Sequence, residues 1–496
     1  MTTAAVAFVA ATVTGAVLTP FVRTLAHRMG ALDHALTSRK VHGKPIPRLG
    51  GIAIVLAFFA PLVALLFVNS GVGGQFYAMP RRAFGLFAGG LAIAALGVLD
   101  DLKGANAKTK FAVQFGVAGL MYWLGYRIDV IANPFGPDIQ LGMLGLPFTL
   151  LWIAGVINAL NLIDGLDGLA GGVALIAVTT TCVVALRGGE PLMVLFTAAL
   201  AGAVLGFLFY NFNPATIFMG DTGSMFLGFV LATTAIQTNR ESSSAVALLV
   251  PIIALGVPIA DTLLAMARRA ARGAPLFSAD RGHIHHRLLD LGLSHKQTVL
   301  VIYGACAVLG AVAISVAYST ASQAILFLLA LAAVAYLALR RLGFVQVNLS
   351  DTQRMLEDRR RNLEVRASIR RLGARLREAS GLGEVWDSLR LAATVLEARA
   401  IALHLPGDAA NADAYSAGFD DAGLDLFRAR YGLLPERPGD THLELGWDDG
   451  RAFIDRDTEI AVELLCEHVA DALERIDRPA RLTPVEGLRR VVGLRR

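Results

Sequence analysis

Charge is scarce in this sequence, and so is cysteine. Only 17% of the 496 residues are Asp, Glu, Lys or Arg, against 55% hydrophobic residues, which excludes a soluble protein of ordinary composition at this size. The three cysteines, Cys182, Cys306 and Cys466, lie far apart. Neither a disulfide framework nor a thiolate metal site can be read from such spacing, and packing as small hydrophobes is expected of them. The net charge of +5 would suit a nucleic-acid partner in a soluble chain. Here, however, the basic residues gather at the ends of apolar runs, which is membrane topology and predicts no nucleic-acid partner. With a mean hydropathy of +0.56, the chain is expected to live in a lipid bilayer.

Long apolar runs are what the sequence has in quantity. The first, at 3–22, has no basic region before it and no small-residue cleavage site after it, so it reads as a retained transmembrane helix rather than a signal peptide. Further runs lie near 50–68, 84–99, 110–126, 147–162, 168–186, 191–210, 223–237, 245–267, 297–317 and 320–339, which gives about eleven spans. Arg23, His27, Arg28, Arg39, Lys40 and Lys44 follow the first run and place the N-terminus outside. An odd number of spans then returns the chain to the cytoplasm at Arg340 and Arg341. This topology puts the loops at 23–49, 100–110, 158–168, 211–222 and 268–296 on the cytoplasmic side. A transporter would more often bury its polar groups near the midplane in broken helices. Five polar loops on one side read as a catalytic surface at the membrane edge.

The loop NALNLIDGLDGLAGG at 158–172 sets Asp164, Asp167, Asn158 and Asn161 in the middle of apolar sequence. One Asp would suffice to cap the following helix; two, with two amides, point to function. In DHALTSRKVHGKPIPRLGG at 33–51, Arg39, Lys40, His42 and Arg48 can clamp phosphate oxygens, although membrane anchoring alone accounts for part of that charge. LDDLKGANAKTK carries Asp100 and Asp101 at the end of an apolar helix, a pairing that also ends many solvated helices. In YNFNPATIFMGDTGS, Asp221 opens a helix between glycines, which suits a metal ligand with backbone N–H groups facing an anion. Asn211, Asn213 and Phe218 precede it. The last loop gathers His283, His285 and His286 with Asp280, Arg281 and Arg287. Carboxylates and amides elsewhere suit a hard cation, so phosphate or sugar contact is favoured here over zinc, with a solvated basic loop as the plainer alternative.

RKVHGKPIPRLGG, LDDLKG, NALNLIDGLDGLAGG, FMGDTGS and ADRGHIHHRL, in this order, resemble the polyprenyl-phosphate N-acetylhexosamine-1-phosphate transferases. These are bacterial enzymes that start O-antigen, teichoic-acid and other cell-wall glycans, and the peptidoglycan translocase is a relative. The match covers roughly residues 1–345. The resemblance implies a helical bundle in the bacterial inner membrane with a cleft open to the cytoplasm, Mg²⁺ with Mn²⁺ as a substitute, a UDP-sugar donor and an undecaprenyl phosphate acceptor. It implies that Asp100 and Asp101 orient or deprotonate the lipid phosphate, and that Asp164 and Asp167 lie near metal and nucleotide with Asn161 as a further metal contact. Asp221 would be the principal Mg²⁺ ligand. Asn211 and Phe218 fall where relatives meet uracil, and His283, His285 and His286, with Arg281 and Arg287, fall near the donor phosphates. Arg39, Lys40, His42 and Arg48 match the basic first loop, and Asn158 joins the substrate-binding set.

Ile284 interrupts what the peptidoglycan branch carries as three consecutive histidines, which favours an N-acetylhexosamine such as GlcNAc over a muramoyl-pentapeptide donor. A CDP-alcohol phosphotransferase would carry an Ala-Arg pair where this chain has Leu169-Ala170-Gly171-Gly172. The alternatives kept are the muramoyl-pentapeptide transferase and a polytopic transporter.

Beyond Leu342 the composition changes. The stretch 351–378 is rich in Arg, Glu and Leu at helical spacing; a helix near 383–398, strands near 399–405 and 441–447 and an amphipathic helix near 456–476 follow. The expected fold is therefore an all-α polytopic membrane protein of about eleven transmembrane helices with a C-terminal cytosolic α/β domain. The expected division is a transferase domain at 1–344, a linker helix at 345–380 and a soluble domain at 381–496. That last part loosely resembles a GAF-like sensor, with no ligand motif standing out, and is expected to regulate the enzyme or to dimerise it into a homodimer.

Overall fold

The computed structural model describes residues 2–33, 45–67, 74, 80–131, 133, 137–241, 249–271, 282–344, 349–405, 415–419, 426–433, 441–450, 454 and 456–477. The chain divides into two compact units, one of Met1–Ala267 with Ala279–Gln346 and one of Arg268–Ser278 with Val347–Arg496.

Helices α1 (Thr2–Arg28), α2 (Gly51–Leu65), α3 (Pro80–Lys103), α4 (Ala107–Trp123), α5 (Gly145–Ile163), α6 (Leu169–Gly188), α7 (Pro191–Asn211) and α8 (Gly220–Glu241) come first. They are followed by α9 (Leu249–Ala254), α10 (Gly256–Ala271), α11 (Ile284–Asp290), α12 (His295–Ala317) and α13 (Ala321–Arg341). Two short antiparallel ribbons accompany them, β1 (Leu32–Asp33) with β2 (Ile46–Pro47) and β3 (Val130–Ile131) with β4 (Ile139–Gln140). Among the described residues, 7 helices are long and apolar enough to cross a membrane, which makes this a polytopic membrane protein; α2, at 15 residues, is shorter. Of the apolar run at 245–267, expected as one span, the described part from Leu249 onward is two helices that break at Leu255. Pro258 has no N–H to return to the preceding turn but fits the first turn of α10, so the break falls just before it.

One helix shows how the bundle faces its surroundings. On α1, Val6, Val9, Val13, Val17 and Phe21 are exposed, while Ala7, Ala11, Gly15, Thr19, Val22 and Ala26 are buried. Large apolar side chains on the outside and small ones inside suit lipid, where helices associate by close packing rather than by escape from water. The buried stripe meets α7 so closely that a Cβ on Gly202 would fall 2.2 Å from the Phe8 carbonyl oxygen. Deeper in, Phe226 of α8 meets Phe58 and Phe59 of α2 edge-on.

The second unit holds α14 (Leu349–Glu378), α15 (Leu382–Val395) and α16 (Arg456–Asp477). Its four-stranded antiparallel sheet has β5 (Ala400–His404), β6 (Ser416–Ala417), β7 (Phe427–Gly432) and β8 (His442–Trp447) in the order β6-β5-β8-β7. Alternate residues Ile401, Leu403, Leu443 and Leu445 join Leu372, Leu389, Val462 and Leu465 in one apolar core, as the period of two along a strand requires. Trp447, buried at the end of β8, donates from Nε1 to the Leu396 carbonyl at 3.1 Å.

Candidate active site

The adjacent acids at the end of α3 diverge. Asp101 is buried, and both of its oxygens hold the start of α8. Oδ1 accepts from the Asp221 N–H at 2.9 Å, and Oδ2 accepts from the Thr222 N–H at 3.0 Å and the Thr222 hydroxyl at 2.7 Å. These bonds satisfy backbone donors that a helix start leaves without intrahelical partners, and they set a carboxylate at the positive end of the helix dipole. Gly220, just before, has φ +67°; a Cβ there would fall 2.6 Å from the Asp101 oxygens and 2.3 Å from the Arg48 carbonyl. Only glycine allows that turn and that approach.

Asp100 faces the other way. Lys110, near the start of α4, pairs with the Asp100 carboxylate and donates to Asp221 Oδ2 at 2.6 Å. Asn161, at the end of α5, reaches the same Asp221 oxygen through Nδ2 at 3.4 Å, and its Oδ1 accepts from the Ser224 hydroxyl at 2.9 Å. Four helices thus deliver polar side chains to one point. An ammonium lodged between two carboxylates marks a place where positive charge is stabilised, and the neighbouring donors are carboxylate, amide and hydroxyl oxygens. That set fits a hard divalent cation such as Mg²⁺.

The loop after α5 supplies the next two acids. Burial, together with the charges of Asp221, Asp101 and Asp167, pushes Asp164 up to about 8. Several carboxylates therefore face one space, and each ionisation makes the next harder. Asp167 is buried and ties two loops together, since its Oδ2 accepts from Asn213 Nδ2 and from the Ala215 N–H, both at 3.0 Å. Between them, a Cβ at Gly165 would lie 2.7 Å from Nε2 of His285. The glycine lets the histidine segment close on the acidic loop.

That histidine segment is set by Asp261 of α10, which is 2% exposed. Its Oδ1 accepts from the Ile284 N–H at 2.8 Å, and its Oδ2 lies 2.9 Å from His283 Nδ1. A carboxylate there calls for a proton on Nδ1. The ring of His285 lies parallel to that of His283 at 5.7 Å, and the His286 ring follows at 4.3 Å. Burial first, and then the neighbouring His286, hold His285 down to about 4, so it is neutral at physiological pH.

Asp100, Asp101, Asn161, Asp164, Asp167, Asp221 and His285, drawn from four separate stretches of sequence, therefore converge. The end of the basic first loop joins them through its backbone: the Phe218 N–H donates to the Pro47 carbonyl at 2.8 Å, and the Gly50 N–H donates to the Phe218 carbonyl at 2.9 Å. The Arg48 guanidinium lies 3.8 Å from Asp33. Three residues expected to meet substrate also make contacts within the protein. Asn158 donates to Gln114 and to the Ala154 carbonyl, both at 2.7 Å. Asn211, 2% exposed, donates to the Ile217 carbonyl at 2.9 Å and so closes the 211–217 turn. Arg287 lies over the Phe344 ring at 5.0 Å. The buried Oδ1 of Asn211 is left without a hydrogen-bond partner, so that amide keeps one acceptor open. Arg39, Lys40, His42 and Arg281 lie outside the described residues. Sequence reasoning missed Lys110 and Asp261. Asp261 did carry a signal, as an acid inside the apolar run 245–267; Lys110 was one of three lysines in its loop, with nothing to set it apart.

The family model for glycosyl transferase family 4 matches residues 83–239, a stretch that holds Asp100, Lys110, Asn161, Asp164 and Asp221. The chain is 42% identical over 299 residues to a probable undecaprenyl-phosphate N-acetylglucosaminyl 1-phosphate transferase of Bacillus subtilis, covering 60% of this chain and 80% of that one. It is 39% identical over 316 residues to the decaprenyl-phosphate N-acetylglucosaminephosphotransferase of Mycolicibacterium smegmatis, covering 58% and 77%. With the undecaprenyl-phosphate alpha-N-acetylglucosaminyl 1-phosphate transferase of Escherichia coli it shares 27% over 305 residues, covering 60% and 80%.

Proposed function

The chain belongs to glycosyl transferase family 4, among the polyprenyl-phosphate N-acetylglucosamine-1-phosphate transferases, and we propose that it moves GlcNAc 1-phosphate from UDP-GlcNAc to undecaprenyl phosphate. An oxygen of the lipid phosphate attacks the sugar-linked phosphorus. The bond from that phosphorus to the bridging oxygen breaks, UMP leaves, and undecaprenyl-diphospho-GlcNAc remains. The active face is cytoplasmic, in a bacterial inner membrane crossed about eleven times. Residues 345–496 form a cytosolic α/β domain that regulates or dimerises the enzyme.

Both reactants are anions, so the work is charge neutralisation and in-line placement. Asp221, Asp100 and the Asn161 amide would hold Mg²⁺, whose bound charge offsets that of the donor diphosphate. Lys110 keeps the two carboxylates apart and paired until substrate arrives. Asp101 fixes the start of α8, so Asp221 stays aimed into the cleft. His283 is locked by Asp261, and the neutral His285 offers a hydrogen bond to a phosphate oxygen without adding charge. A lipid phosphate is already largely ionised near neutral pH, given a second phosphate pKa of about 6, so no strong base is required.

The observation that carries this reading is the Lys110 ammonium held between Asp100 and Asp221 beside Asn161. The test is a panel of labelled UDP-sugars with undecaprenyl phosphate and the purified protein, with Mg²⁺ added or chelated. UMP release that needs UDP-GlcNAc, lipid phosphate and Mg²⁺ together is expected. Release with a muramoyl-pentapeptide donor but not with UDP-GlcNAc would move the chain to the peptidoglycan branch.

A further inference from the structure

Away from the transferase site, the sheet of the second unit carries a polar cluster on the face opposite its apolar core. β5 and β8 pair antiparallel, with His404 opposite His442 and Ala402 opposite Glu444. Since side chains alternate between faces along a strand, His404, His442 and Glu444 share one face while Leu403, Leu443 and Leu445 share the other. The two imidazole rings stack at 4.3 Å with 14° between their planes. His404 Nε2 lies 3.4 Å from Glu444 Oε2, and one donor atom from each of the three side chains falls within 4.8 Å of the others.

Two features of this cluster call for a ligand. Glu444 is 5% exposed, and its buried Oε1 accepts no hydrogen bond; the buried Nε2 of His404 makes none either. A buried carboxylate is stable only when paired or coordinated. The charges beside it are Arg430, with Nε 3.3 Å from Oε2, and Arg428, with NH1 3.9 Å from Oε1. Both are long side chains more than half exposed, and Arg428 also lies over the Phe419 ring at 4.9 Å. The 3.4 Å donor spacing is close to the roughly 3.3 Å between two ligands that each lie about 2.0–2.1 Å from one tetrahedral ion.

We propose that His404, His442 and Glu444 form a binding site for a divalent transition-metal ion of the Zn²⁺ class. Two imidazoles and one carboxylate suit a borderline ion rather than Mg²⁺ or Ca²⁺, which prefer oxygen alone. Three protein ligands leave a fourth position open to water or to an incoming ligand. Arg428 and Arg430 hold the carboxylate when the ion is absent and give it up when the ion binds. The site is separate from the transferase centre in both residues and metal preference.

The test uses the full-length protein in detergent, stripped with chelator and kept in excess Mg²⁺, then titrated with Zn²⁺ and separately with Co²⁺. Wild type should take up one equivalent of Zn²⁺ more than His404→Gln and Glu444→Gln, and should show the visible absorption of tetrahedral Co²⁺ that both variants lack. UMP release should be unchanged in both. Glu444→Gln, which preserves shape, carries the test alone if His404→Gln does not accumulate as folded protein. The double variant Arg428→Gln/Arg430→Gln should bind Zn²⁺ more tightly by roughly fivefold or more, from the removal of two competing charges. Equal metal content in all four proteins would overturn the proposal and leave a carboxylate paired with arginine only.

Discussion

The two units of this chain set their polar chemistry against opposite backgrounds. In the membrane unit, acids and amides interrupt apolar sequence, so Asp100, Asp101, Asp164, Asp167 and Asp221 are conspicuous by their neighbours alone. In the second unit, charged residues are common, and His404, His442 and Glu444 look like any other surface residues of strands. Yet both units assemble a cluster by the same means, bringing residues from separate segments to one point. The contrast shows that the legibility of a site depends on how costly its residues are in their surroundings, not on how well they are organised.

The largest effect is expected from removing the proposed metal ligand of the membrane unit. Asp221→Ala should lower UMP release by roughly 10³-fold or more, on the scale of losing one preorganised electrostatic group, while the protein still inserts into membranes. Near-normal turnover would mean that the converging acids are structural. The next effect is on stability. Burial holds His285 down to about 4 in the folded state against about 6.5 unfolded, so the unfolded chain binds more protons at this group between those values. The His285 contribution should therefore fall as pH drops from about 6.5 to 4, by about 3 kcal/mol in all, while Asp164, pushed up to about 8, contributes with the opposite sign over the same range. Thermal unfolding across that range should show the stability of wild type relative to His285→Gln falling by that amount; a difference that does not change with pH would contradict the buried neutral imidazole.

Asp101→Asn should cost about 2 kcal/mol, the scale of hydrogen bonds to a buried charged group and a helix cap. It should also lower activity with little change in the substrate KM, because it acts through the placement of Asp221. A melting temperature equal to wild type would contradict the capping role. The smallest effect tests the second unit itself. Removing residues 345–496 should leave UMP release within about an order of magnitude of wild type, because the membrane unit has its own core; complete loss with normal insertion would mean that the tail belongs to the catalytic unit.

The membrane unit is legible in outline because hydrophobic runs and glycine-flanked acids are local signals. Helix α6 begins at Leu169, and α7 begins at Pro191, where the sequence places them. The run at 245–267 reads as one span because hydropathy does not register the missing N–H of Pro258. In the site, the motif acids are visible, but their division of labour is not. Nothing in the dipeptide Asp100-Asp101 says that one carboxylate faces Lys110 while the other caps α8. Asp261 escapes notice although an acid in an apolar run is costly enough to signal function. Asn158 and Asn211 each donate to a partner within the protein that the sequence does not reveal, because the partner is set by the packing of helices and turns.

By itself the sequence determined that this chain crosses a membrane, which residues are too costly there to be incidental, and which family it resembles, because each of these is a property of composition or of short contiguous segments. Tertiary structure decided the rest. It chose which acid of a pair reaches Lys110 and which one caps α8, it locked His283 through an aspartate more than 20 residues away, and it set two histidines and a glutamate face to face across paired strands. Those outcomes depend on distances between segments remote in sequence, and only the packed backbone fixes such distances.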